Sequence, residues 1–134
     1  MSDDELLARF ENCTLDPATF HHREHVRIAW LYVREHPLPV ALMKFSEGLQ
    51  RFAASLGSSL YHATITWAFL FLIHERVQNA PCETFDEFAD ANPDLLTWKP
   101  SILERYYTAE TLASPRAKEA FVMPDRHPSG LTGS

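Results

Sequence analysis

The segment Leu60–Ile73 constrains this chain most, because in fourteen residues only His62, Thr64 and Thr66 interrupt an apolar run. The run is too short and too polar to span a bilayer, which takes about 20 apolar residues. Read with a helical period it is apolar on nearly all sides, and such a helix must be surrounded by others. The expectation is a central helix over Leu60 to Gln78, stopped at Asn79-Ala80-Pro81.

The rest of the chain supplies partners for it. Leu42, Phe45, Leu49, Phe52 and Leu56 step by 3, 4, 3 and 4 residues, a bundle-facing seam. That helix opens near Pro39 and stops at Gly57, with Ser58-Ser59 beyond it. Before it, a helix should start between Pro17 and His22 and end at Glu35 or His36, closed by Pro37 and Pro39. A first helix is expected from about Asp3 to Asn12, its acidic start suiting the positive end of the helix dipole. Later helices are short: one capped by Thr84, a turn at Asn92-Pro93-Asp94, one over Ile102 to Tyr107, and one opened by Ser114-Pro115. With four glycines and no alternating Val/Ile/Thr runs, a sheet has no support. The fold class is therefore all-α: a single bundle of four main helices plus short C-terminal helices. Residues 1–126 form one domain, and 127–134 read as a disordered tail.

An apolar fraction of 46% and a charged fraction of 22% are those of a globular chain. The net charge of −6, with no basic stripe, disfavours nucleic acid. The N-terminus MSDDELLARF has no apolar core of a signal peptide. Cys13 and Cys82 form neither a CxxC motif nor a bridge framework, so a reducing, cytoplasmic setting is the default. Nucleophilic catalysis lacks a signature, with no G-x-S-x-G elbow, and there is no glycine-rich phosphate loop.

The histidines carry the chemistry. On a helical wheel with about 100° per residue, His22 falls among Val26, Ala29 and Val33 on the buried stripe. His25 falls at its shoulder, while Arg23, Glu24, Arg27, Arg34 and Glu35 form the wet face. The spacing of three lets both imidazoles converge. His62 belongs to the helix expected to be central. A buried imidazole needs a partner for each nitrogen, and one metal ion satisfies several at once. Three histidines with an open position suit Zn²⁺. Two histidines with a carboxylate suit Fe(II), and Asp94, Glu104 and Asp125 are candidates for that carboxylate. Thr64 or Thr66 could sit behind the ligands. His21 and His74 read as structural or surface residues, and His36 and His127 as surface residues. Against all of this stands the simpler reading of each histidine as a hydrogen-bonded core residue.

The stretch Phe20-His21-His22-Arg23-Glu24-His25-Val26, together with Tyr61-His62-Ala63-Thr64-Ile65-Thr66, resembles a family of small uncharacterised bacterial helical proteins. Their motifs are F-x-H-x-x-H-[VL]-x-x-A and Y-H-x-T-x-T. Arg105-Tyr106-Tyr107, Leu112 to Pro115 and Phe121 to Asp125 look like further landmarks, so the resemblance covers about residues 18–126. It implies no reaction, but it favours His22, His25 and His62 over the other histidines. The family often carries Glu where this chain has Ala63.

Two main functional expectations follow, with a third behind them. One is a small metalloprotein with Zn or Fe held by His22, His25 and His62, with hydrolase or oxygenase as its reaction class. Tyr61, Thr66, Arg105 and Tyr106 would then be substrate contacts. The other is a metal-free module that binds a small-molecule ligand or a partner, its histidines serving as core residues. A third, an acid–base enzyme built on a buried histidine pair, needs no metal. Oligomeric state is not legible.

Overall fold

The computed structural model describes residues 1–126, and the expected tail 127–134 lies outside the described residues. The described chain is all-helical. Eight α-helices follow in order: α1 (Asp3–Glu11), α2 (His22–Glu35), α3 (Leu38–Ser55), α4 (Ala63–Asn79), α5 (Phe85–Ala91), α6 (Pro93–Leu96), α7 (Ala109–Ala113) and α8 (Pro115–Glu119). Short 3-10 turns lie at Pro17–Thr19 and Ile102–Arg105. Thr84 and Ser114 cap as expected and Ser2 and Thr108 join them, each accepting a hydrogen bond from a first-turn amide.

The centre of the bundle is shared. α2 packs on α4, α3, α1 and α6, while α4 packs on α2, α3 and α8. The sequence pattern assigns α2 one buried stripe, yet its residues from Ile28 to Val33 are all buried. Arg23, Arg34 and Glu35 stay exposed on its outer face, as the helical wheel places them, while Arg27 is half-buried. Arg27 donates to Asp3 Oδ1 and to the Met1 carbonyl on α1's side, and the Arg34 guanidinium lies 4.3 Å over the Trp30 ring. Long side chains pack their stems on apolar surface while their heads stay paired.

α4 begins three residues later than expected. Leu60 and Tyr61 are not helical, and Leu60 is 85% exposed. The cause lies at both ends of the loop. Gly57 has φ +64°, and the Ser58 amide donates to the Ala53 carbonyl while the Gly57 amide donates to the Ala54 carbonyl. That pair of bonds is a Schellman stop for α3. His62 then caps α4, so residues 58–61 must bridge the two helices.

Gly48 marks a close approach of α3 to Phe10 of α1. A Cβ there would lie 2.5 Å from Phe10 Cε2, and Phe10 is fully buried among Phe20, Tyr32 and Phe52. Alanine gains up to about 1 kcal/mol of helix propensity over glycine. Overpacking costs about 1–3 kcal/mol and outweighs it because the Phe10 ring has no free space. Gly48→Ala is therefore expected to lower stability by about 1–2 kcal/mol, read from the urea midpoint at unchanged slope.

Candidate functional site

A cavity of about 530 Å³ opens between α2, α3, α4 and the loop Leu56–His62. Its walls are apolar, from Phe20, Val26, Phe45, Phe52, Phe69 and Ile73 among others. Leu56, Leu60 and Trp98 line it and are also exposed, so they form its rim. No Lys, Arg, Asp or Glu lines it among the described residues. Its polar groups come from Ser58, Tyr61, Thr66 and three histidines, His22, His25 and His62.

Those three imidazoles meet the same cavity in different states. His62 is the N-cap of α4, not a residue of its interior. Its Nδ1 accepts from the Ile65 amide at 3.1 Å, and its Nε2 lies 2.7 Å from the Leu112 carbonyl oxygen. An acceptor role at Nδ1 and a donor role at Nε2 define one neutral tautomer with both nitrogens used. The sequence reading of His62 as one of three converging ligands is thus not realised in this arrangement. Among the described residues no group of three or more His, Cys, Asp or Glu side chains is placed to hold a metal ion. Cap and carbonyl together imply that His62→Ala costs about 2 kcal/mol of stability. His62→Asn, which keeps the cap alone, should fall between the two in a urea titration.

His22 is half engaged. Its Nε2 donates to the Leu95 carbonyl at 2.8 Å, which leaves Nδ1 as a lone pair. The ring packs between Phe69 and Trp98, each at 5.0 Å. Burial lowers its basicity more than the Leu95 bond restores it. His25 has no hydrogen-bond partner among the described residues. It stands edge-on to Phe20 at 4.1 Å, and burial together with the nearby His22 lowers its pKa to about 4. Both rings are neutral near pH 7, and the His25 imidazole stands in an apolar wall without a hydrogen-bond partner among the described residues.

Of the four expected substrate contacts, two arrive. Tyr61 and Thr66 line the cavity, and the Tyr61 hydroxyl is 2.6 Å from Ser46 Oγ, tying the loop to α3. Arg105 and Tyr106 do not line it. Arg105 joins Arg76 on Asp94, and Arg76 bonds Asp94 through two nitrogens at 2.9 and 2.8 Å. Those bonds, Arg76 foremost, hold the Asp94 carboxyl below the usual carboxylate range. Tyr106 packs half-buried on the core, its carbonyl accepting from the Asp125 and Arg126 amides. The candidate carboxylates are engaged elsewhere too: Asp125 with Thr108 and Thr111, Glu104 with the Ser101 amide. Thr64 bonds the C-terminal segment, away from any ligand role. Trp98 and the apolar walls escaped the sequence reading because nothing in a local pattern separates a cavity wall from a core position.

No family model matches the chain, and no curated protein or solved structure matches it. The site is therefore read from its own chemistry. Among the described residues, no helix is long and apolar enough to cross a membrane.

Proposed function

We propose that this protein binds one small, largely apolar molecule in the cavity between α2, α3 and α4, with His25 as the polar anchor. The observation that carries the reading is an unpartnered, neutral imidazole in the wall of an otherwise apolar cavity of about 530 Å³. Pockets for small ligands have this size and this makeup, apolar walls with a few placed polar groups. The exposed rim of Leu56, Leu60 and Trp98 gives such a ligand an apolar way in.

The uncharged fluorescent probe N-phenyl-1-naphthylamine tests it. Saturable binding with about one site per chain is expected, together with a rise in melting temperature. At a hundred times the dissociation constant the stabilisation is about 2.7 kcal/mol. Ala53→Trp, which fills the cavity wall, should abolish the signal. Absent or unsaturable binding, or binding unaltered by Ala53→Trp, would overturn the proposal.

A metal-assisted version has one specific observation behind it. The His22 Nε2 proton is held by a backbone carbonyl, the arrangement that orients metal-ligating imidazoles, its Nδ1 remains a lone pair, and His25 lines the same cavity. Zn²⁺ or Fe²⁺ on His22 and His25 would take its remaining ligands from water or the bound molecule. Such an ion would open hydrolytic or oxidative chemistry. Tag-free protein should then retain about one equivalent of metal and lose it in His25→Leu. Equal trace metal in both forms would eliminate this version and leave the apolar-ligand reading standing.

A further inference from the structure

The cavity's polar groups define which end group its ligand carries. His22 offers one acceptor, its Nδ1, because its Nε2 proton is committed to Leu95. His25, neutral and unpartnered, offers one acceptor and one donor. His62 offers neither, since the Ile65 amide and the Leu112 carbonyl occupy both its nitrogens. The hydroxyls of Ser58, Tyr61 and Thr66 also line the cavity and can each donate or accept, so the one fixed demand is a ligand proton for the His22 lone pair, which a hydroxyl group supplies. An ionised carboxylate supplies no proton for that lone pair.

Charge points the same way. Among the described residues no Lys or Arg lines the cavity, so an anion would leave water for an apolar space without a counter-charge. Protonating His25 to supply one works against its burial and against the neighbouring His22. The six aromatic side chains of the lining, Phe20, Phe45, Phe52, Tyr61, Phe69 and Trp98, favour a flat body behind that end group.

Resting on the apolar-ligand reading above, we infer that the ligand class is an uncharged aromatic or bulky apolar alcohol or phenol, its hydroxyl held between His25 and His22. Carboxylic acids of the same skeleton are disfavoured for want of a counter-charge.

Calorimetry at about pH 7.5 with 2-naphthol, naphthalene and 2-naphthoate tests it. In the wild type, naphthoate should bind at least tenfold more weakly than naphthol. In His25→Leu the ratio of naphthol to naphthalene affinity should drop about tenfold, the factor that about 1.4 kcal/mol represents. Naphthoate equal to or tighter than naphthol overturns the inference. So does a naphthol-to-naphthalene ratio that His25→Leu leaves unchanged. In both cases binding of naphthalene shows that the apolar-ligand reading survives. Should none of the three compounds bind, the cavity reading fails and this inference fails with it. If His25→Leu does not fold, the comparison within the wild type still decides.

Discussion

Thr64→Val is expected to lower the unfolding free energy by about 2–4 kcal/mol and to loosen the C-terminal segment before the rest of the bundle. Thr64 is fully buried in the first turn of α4. Its hydroxyl donates to the Ala120 carbonyl at 2.9 Å and accepts from the Val122 amide at 3.1 Å. One side chain therefore satisfies two backbone groups more than fifty residues away. Valine keeps the shape and removes both bonds, and leaving a buried polar group unpaired costs about 1–3 kcal/mol. What Thr64 fastens is a strap. Phe121 stacks on Trp67 at 5.6 Å and meets Phe71 edge-on. The Tyr107 hydroxyl donates to the Val122 carbonyl, and Thr108 and Thr111 hold the Asp125 carboxylate. The strap covers the face of α4 that is turned away from the cavity. Hydrogen exchange should show the Val122 amide losing protection first in Thr64→Val, while Thr64→Ser keeps most of it. Equal stability of the valine form would mean the strap is held by the aromatic stack alone.

Acid should destabilise the protein in a window where its carboxylates are still charged. His25 titrates near pH 4 in the folded chain and near 6.5 when unfolded. Above about pH 6.5 both forms are neutral and the residue contributes no pH dependence. As the pH falls below that, the unfolded chain binds a proton that the folded chain refuses, so stability declines. The decline continues to about pH 4, where the folded form also protonates. The full difference is about 3 kcal/mol, at about 1.4 kcal/mol per pH unit. His22 is lowered as well and acts in the same direction. Asp94 and Asp125 are held below the usual carboxylate range, so their contribution is lost only at lower pH. Urea midpoints between about pH 5 and 6.5 therefore isolate the histidines. His25→Leu should flatten most of the slope there, and a slope unchanged by that substitution would place the acid response elsewhere.

The chain's periodicity was enough for an all-helical fold, because the steps of three and four residues that mark a helix are local. The start of α2, the seam of α3 and the caps at Thr84 and Ser114 follow from residues within one turn of each other. His22 and His25 were legible as inward-facing for the same reason. The partners of each ring were not legible. His62 is committed to Leu112, fifty residues on, and His22 to Leu95, seventy-three residues on, while His25 is left without a partner. Arg105 is drawn to Asp94 rather than to a ligand. Sequence spacing fixes which face of a helix a side chain occupies. What meets that side chain depends on how distant elements dock, so only the packed structure separates a capped histidine from an available one.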